Sequence, residues 1–199
     1  MPVTDDKQDD SPLSAVPDHL QALARELLAM ADARKICIAA AESCTGGLLA
    51  SLLTDVEGFS HCFEAGFVVY SDEAKQRQLG VPAKLIEKHT AVSREVAREM
   101  AVRARAAADA AVAVSITGYA GPGGDDAEEG LVHFGLAGPE DSDLALREEH
   151  FGPQGRDRVR LAALAVALEM LRDALDHGRP AQSATEEGST SGPSEGDEG

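Results

Sequence analysis

A short apolar run passes directly into a helix near residue 40, and this change of period constrains the fold more than any other feature of the sequence. Residues 36–40 (ICIAA) are small or β-branched and predict a buried strand. Residues 42–47 (ESCTGG) follow as a tight, glycine-containing turn, and residues 48–53 (LLASLL) have the composition of a helix. A strand, a turn and a helix in this order are typical of a sheet flanked by helices.

The rest of the chain continues the alternation. Helical spacing or capping predicts helices over residues 18–34, 71–80, 82–89, 93–108 and 158–176. Apolar, β-prone runs predict strands over residues 62–70, 111–116, 131–137 and 144–151. Only residues 138–143 separate the last two strands, which favours a hairpin. We therefore predict an α/β protein, a single layered domain with a mixed β-sheet flanked by helices.

Composition sets the limits of this domain. The chain has 199 residues and a formal net charge of −17. Residues 1-16 and 178-199 are acidic and poor in large apolar side chains, so we expect disordered acidic tails around a folded domain at 17-177. The negative charge counts against nucleic-acid binding. No signal peptide and no membrane-spanning apolar run is present, so we expect no membrane association and a cytoplasmic protein.

Cysteine and histidine spacing predicts neither disulfides nor a metal site. The three cysteines, Cys37, Cys44 and Cys62, form no CxxC pair and are odd in number, which favours reduced thiols. The six histidines are scattered without HxH or HxxxH spacing. Metal ligands drawn from distant segments stay open at this point.

Ser43 lies where the first strand turns into a helix. The backbone N–H groups of the three residues after it lack intrahelical partners and can bind an oxyanion. A serine nucleophile also needs a base, and Lys75, one turn into the helix after the next strand, is the candidate, with Tyr70 placed to orient the proton. Spacing alone favours a plainer interpretation, in which Ser43 caps a helix, Lys75 is solvated and Tyr70 is an edge aromatic.

Cys44 competes with Ser43 for the role of nucleophile, because a helix N-terminus lowers the pKa of a thiol. The alternative is that Cys44 is a small buried residue. Spacing does not choose between the two side chains.

Two further segments have features of a phosphate site. Residues 117–124 (TGYAGPGG) form a glycine-rich loop that lets backbone approach a ligand, with the Thr117 hydroxyl as an added donor. No Gly-Lys-Ser/Thr follows, so the loop is not a Walker motif, and a plain surface turn is the alternative. Arg156, Arg158 and Arg160 make the start of the last helix basic. One of them is a candidate phosphate ligand, although solvated arginines are commoner.

Several motifs in one order carry a family resemblance. They are AESCTGG, GFSHCFEAGFVVYSDEAK with the following LGV, then AVS, SITGYAGPGG and GRDRVR. Together they resemble the C-terminal domain of the CinA (competence/damage-inducible) family, the nicotinamide-nucleotide amidases, over residues 18–176. The resemblance implies hydrolysis of the carboxamide of nicotinamide mononucleotide to nicotinate mononucleotide and ammonia, with no metal and no cofactor, in pyridine-nucleotide salvage.

The resemblance also implies roles for individual residues. The family's nucleophile falls on Ser43, its lysine base on Lys75 and its assisting tyrosine on Tyr70. Substrate-binding positions fall on five further residues, Thr45, Gly46, Gly47, Thr117 and Arg156. The chain departs from the family pattern in Tyr119, where isoleucine is usual, and in an unusually acidic loop after residue 124.

The resemblance favours a homo-oligomer that acts on a small-molecule nucleotide. Many family members carry an additional N-terminal nucleotide-related domain. Because so little chain precedes the first helix, we expect that domain and its pyrophosphatase activity to be absent. A catalytically silent nucleotide- or partner-binding protein linked to competence or DNA damage is the alternative to the amidase, and it rests on Tyr119 and the acidic tails. A third hypothesis is an amidase for another small amide.

Overall fold

The computed structural model describes residues 16–124, 127–138 and 144–177. Its helices are α1 (Asp18–Arg34), α2 (Leu48–Thr54), α3 (Asp72–Leu79), α4 (Ala83–His89), α5 (Arg94–Ala107) and α6 (Arg156–His177). Its strands are β1 (Ile38–Glu42), β2 (Phe63–Val68), β3 (Val112–Gly118), β4 (Leu131–Ala137) and β5 (Ala145–His150), and a 3₁₀ turn (Ser60–Cys62) precedes β2. Within these ranges no helix is both long enough and apolar enough to cross a bilayer.

The five strands form one sheet in the order β2-β1-β3-β4-β5. Strand β1 pairs in parallel with β2 and β3, whereas β4 is antiparallel to both β3 and β5. The predicted mixed sheet and the predicted hairpin are therefore confirmed. The carboxyl ends of β1, β2 and β3 meet at one edge of the sheet, and β5 also ends there, so α6 starts beside them.

Helices cover both faces of the sheet. Successive side chains of β1 point to opposite faces of the sheet. Ile38 and Ala40 pack in an apolar cluster with α1, α2 and α6. Ala39 and Ala41 pack in a second apolar cluster with α3, α4 and α5. All five residues of β1 are buried, as expected of a strand with a neighbour on each side and a helical layer on each face. The predicted α/β class with a layered arrangement is confirmed.

Some boundaries differ from the prediction. Strand β1 starts at Ile38 and extends to Glu42 rather than ending at residue 40, because the Glu42 carboxylate is hydrogen-bonded at the start of α2 and can therefore end a buried strand. Val16, assigned to the N-terminal tail, is buried in the core, with 3% of its surface exposed. The rest of the two predicted tails, residues 1–15 and 178–199, lies outside the described residues.

Candidate active site

Ser43 and Lys75 meet at the edge of the sheet where the parallel strands end. Ser43 is the first residue after β1, and Lys75 lies in the first turn of α3, which Ser71 caps by accepting a hydrogen bond from the N–H of Ala74. Lys75 Nζ lies 3.3 Å from Ser43 Oγ. Because β1 and β2 are parallel neighbours, the residues that follow them reach the same place.

Lys75 is buried, although its side chain ends in an amine. Only 1% of its surface is exposed. Burial lowers the pKa of Lys75, and the nearby Asp72 carboxylate opposes this only in part. A lower pKa increases the fraction of neutral amine at neutral pH, and a neutral amine can accept a proton from a hydroxyl.

Tyr70 contributes to this pair through its backbone. Lys75 Nζ donates a 3.3 Å hydrogen bond to the Tyr70 carbonyl oxygen. The Tyr70 side chain is 64% exposed. The structure therefore places the backbone of Tyr70, and not its phenol, against the Lys75 amine.

The structure distinguishes Ser43 from Cys44 as candidate nucleophiles, which residue spacing alone does not do. Cys44 is packed into the apolar cluster beneath α2 and α6, with 4% of its surface exposed. Burial raises the pKa of the Cys44 thiol to about 11, the opposite of the lowering considered from the sequence. The thiol is therefore almost wholly protonated at neutral pH, and Ser43 is the nucleophile candidate beside an amine.

Glu42 connects the two ends of the turn that carries Ser43. Its carboxylate, at the end of β1, accepts hydrogen bonds from the N–H groups of Gly47 (3.1 Å), Leu49 (3.1 Å) and Ala50 (2.8 Å). A buried carboxylate in this position satisfies orphan donors of α2 and interacts favourably with the positive end of the helix. No sequence motif indicates this role; its one signal is a glutamate at the end of an otherwise apolar strand.

The turn itself leaves two consecutive backbone donors free. The N–H of Gly46 donates to the Ser43 carbonyl at 3.1 Å, and the N–H of Gly47 is taken by Glu42. In the part of the chain that the structure describes, the N–H groups of Cys44 and Thr45 donate to no other residue. The expected donors are thus reduced to these two, which follow Ser43 directly.

Gly46 and Gly47 act through their backbone conformation. Their φ angles are +67° and +95°, values that residues with a Cβ rarely adopt. Because the N–H groups of both glycines are engaged within the turn, the two residues shape the site and do not supply donors to a ligand.

The hydroxyls of Thr45 and Thr117 differ in their partners. Thr45 Oγ1 is buried and has no hydrogen-bond partner within the described ranges. Thr117 Oγ1, in β3, donates a 2.9 Å hydrogen bond to the Ala91 carbonyl, between α4 and α5. The hydroxyl proton of Thr117 is therefore already used in a hydrogen bond within the fold, whereas the Thr45 hydroxyl is free to pair with a ligand.

Helix α6 connects two of the predicted loops through arginines one turn apart. Arg160 Nε donates a 2.9 Å hydrogen bond to the Cys44 carbonyl. A Cβ added to Gly121 would lie 3.1 Å from the Arg156 guanidinium, so Arg156 lies against the glycine-rich loop. Residues four apart share a helix face. One face of α6 therefore contacts both the Ser43 turn and the glycine-rich loop. The side chains of Arg156 and Arg158 are exposed.

Residues 20–175 match the family model described as the CinA C-terminal domain. The chain belongs to the CinA C-terminal domain family. It is 43% identical over 152 residues to a nicotinamide-nucleotide amidohydrolase PncC of Enterobacter agglomerans. The matched segment covers 75% of this chain and 92% of that relative. It is 48% identical over 140 residues to a CinA-like protein of Anaeromyxobacter dehalogenans, 69% of this chain and 34% of that protein. The chain thus spans about a third of the length of such CinA-like relatives.

Solved structures of this CinA family have the same fold. A competence/damage-inducible protein of Agrobacterium tumefaciens superposes with a TM-score of 0.77 at 37% identity, over 80% of this chain and 97% of the other. A CinA superfamily protein of Escherichia coli superposes with a TM-score of 0.73 at 35% identity, over 79% and 92% of the two chains. The resemblance stated from the motifs is confirmed.

Proposed function

We propose that this chain hydrolyses the carboxamide of nicotinamide mononucleotide, giving nicotinate mononucleotide and ammonia by a serine–lysine mechanism. The observation that carries the proposal is the contact of the buried Lys75 amine with the Ser43 hydroxyl at 3.3 Å. The amidohydrolase name of the relative from Enterobacter agglomerans supports the choice of reaction.

The first half of the reaction forms an acyl-enzyme. Neutral Lys75 takes the Ser43 proton while Oγ bonds to the amide carbon, and the carbonyl oxygen becomes an oxyanion. The free N–H groups of Cys44 and Thr45 stabilise that charge. The ammonium of Lys75 then gives its proton to the amide nitrogen, the C–N bond breaks, and ammonia leaves.

The second half releases the acid. Lys75, neutral again, takes a proton from water as the water oxygen bonds to the acyl carbon. The same two N–H groups stabilise the second oxyanion. When the C–O bond to Ser43 breaks, Lys75 returns the proton to Oγ, and nicotinate mononucleotide leaves. Every proton transfer in this sequence passes through one amine.

Arg156 is our candidate for the phosphate of the substrate. Its guanidinium lies against the glycine-rich loop, and guanidinium groups bind phosphate with paired hydrogen bonds. The hydroxyl of Thr45, buried and unpaired, is our candidate for a contact with the substrate near Ser43. We further propose a role in pyridine-nucleotide salvage in the cytoplasm, with the chain assembled as a homo-oligomer.

Ammonia release from three related amides tests this function. Nicotinamide mononucleotide, nicotinamide riboside and free nicotinamide share the carboxamide and differ in ribose and phosphate. We expect turnover of the mononucleotide and a loss of at least about tenfold in kcat/KM without the phosphate, which is the worth of one charged contact. Thermal stabilisation by the mononucleotide with no ammonia released would instead identify a silent binding protein.

A further inference from the structure

A second cluster of reactive side chains lies at the end of the sheet opposite Ser43. Asp32 is in the last turn of α1, and His61 and Cys62 are in the 3₁₀ turn before β2. Asp32 Oδ1 lies 2.9 Å from His61 Nε2. One oxygen, one nitrogen and one sulfur of these three side chains all lie within 4.8 Å of one another.

We propose that Asp32, His61 and Cys62 bind one Zn²⁺ ion, with water as the fourth ligand. Zinc accepts carboxylate oxygen, imidazole nitrogen and thiolate sulfur in tetrahedral sites at about 2.0–2.3 Å. Ligand atoms in such a site are about 3.5 Å apart by the same geometry. The present spacing therefore needs only a small opening of the Asp32–His61 pair and a small approach of these two side chains to the Cys62 sulfur.

The three side chains of the cluster differ in how far they can move. Cys62 is buried, with 1% of its surface exposed, so its sulfur is fixed. The side chains of His61 and Asp32 are 58% and 36% exposed and can adjust around an ion. Lys35 also pairs with Asp32 at 2.9 Å, but its side chain is 78% exposed, and an exposed pair of this kind is weak. Zinc can therefore displace the Lys35 ammonium.

A separate contact holds the 3₁₀ turn in place without a metal. The Cys37 thiol donates a hydrogen bond of 3.2 Å to the His61 carbonyl. Since Cys37 immediately precedes β1, this contact fixes the backbone of His61 and Cys62 against the start of β1. Two ligands are thus positioned by the fold before the ion arrives.

The site is structural and independent of the proposed amidase. Strand β1 runs from Ile38, next to the cluster, to Glu42, next to Ser43, a rise of about 13 Å. A zinc ion here would link the end of α1 to the start of β2. We therefore expect it to stabilise the fold and to leave ammonia release unchanged.

Zinc competition with a chromophoric chelator, in a non-thiol reductant, tests the site on the full chain. We expect one Zn²⁺ per chain and a rise in Tm on zinc addition. His61→Ala, Asp32→Asn and Cys62→Ser should each lose more than the ~10- to 100-fold in affinity typical of changes beside a metal ligand. His19→Ala, which removes an exposed histidine of α1, is the matched control and should bind as the parent does.

Cobalt(II) supplies a readout for the sulfur. The parent chain should show a thiolate-to-cobalt charge-transfer band that Cys62→Ser lacks. His61→Ala changes an exposed side chain and should stay folded, so the test stands even if Cys62→Ser unfolds. Equal zinc affinity in His61→Ala and the parent, or no stoichiometric binding in the parent, would overturn the site. Neither result bears on the amidase.

Discussion

Arg160 Nε is hydrogen-bonded at 2.9 Å to the carbonyl oxygen of Cys44, 116 positions earlier in the chain. In a trans peptide the C=O of one residue and the N–H of the next point in opposite directions, and none of the described peptide bonds is cis. By holding the Cys44 carbonyl, Arg160 directs the Thr45 N–H away from α6. Arg160 is thus a positioning residue for one of the two proposed oxyanion donors.

Replacing Arg160 should impair the reaction more than the fold. We expect Arg160→Lys to lower kcat by about 10- to 100-fold, somewhat less than the loss of an oxyanion donor itself, with little change in KM. Steady-state kinetics of ammonia release measure both constants. Arg158→Lys, an exposed arginine of the same helix, is the control. An equal effect of the two substitutions would contradict the positioning role.

Glu42 should matter for both stability and rate. Glu42→Ala leaves three backbone donors of the turn and of α2 without their acceptor, which costs about 3 kcal/mol or more in the free energy of unfolding. Glu42→Gln keeps one acceptor oxygen and should have a smaller effect. Chemical denaturation measures the change, with the exposed Glu26→Gln as control. A Glu42→Ala chain as stable as the parent would refute the capping role.

Lys75 should show opposite effects on activity and on stability. Lys75→Met fills the same buried space without an amine, so we expect no ammonia release. At neutral pH the free energy of unfolding should rise by about 1 kcal/mol, or about 2–4 °C in Tm for a chain of this size. Thermal denaturation of the two proteins checks the stability.

The lowered pKa of Lys75 also sets the pH dependence. The folded chain binds this proton less readily than the unfolded chain, so the stability of the parent rises with pH between the folded pKa and the usual lysine pKa of about 10.4. The advantage of Lys75→Met should therefore be greatest at low pH and narrow above the folded pKa. In the parent, kcat/KM should rise with pH through a pKa below the usual lysine value. A profile flat over this range would contradict a lysine base.

The two threonines of the site should respond oppositely to the same substitution. Thr45→Val removes a buried hydroxyl that has no partner, so stability should rise by about 1 kcal/mol while kcat/KM falls. Thr117→Val removes the bond to the Ala91 carbonyl and should cost about 1 kcal/mol. Thermal denaturation and the ammonia assay separate the two. Destabilisation by Thr45→Val would show that its hydroxyl is paired in the folded chain.

The sequence predicted the helices and strands because they depend on the local hydrophobic period. It also predicted where Ser43 and Lys75 lie, because each follows a strand and parallel neighbouring strands end together. Residue spacing did not choose between Ser43 and Cys44, since that depends on the side-chain orientation within one turn, and only the family resemblance pointed to Ser43. The carboxylate cap of Glu42 and the bond from Arg160 to Cys44 were also out of reach. These contacts depend on how α2 and α6 pack beside the turn. The Asp32–His61 contact joins segments 29 positions apart and has no local spacing signal.

Ammonia release from nicotinamide mononucleotide by Ser43→Ala is the most direct test of the serine–lysine pair. Ser51→Ala, an exposed serine in α2, is the matched control, and thermal denaturation verifies that both variants fold. We predict a loss of at least about 10³-fold in kcat for Ser43→Ala and parental activity for Ser51→Ala. Parental activity in a folded Ser43→Ala chain, in which Cys44 is still present, would contradict the serine–lysine mechanism.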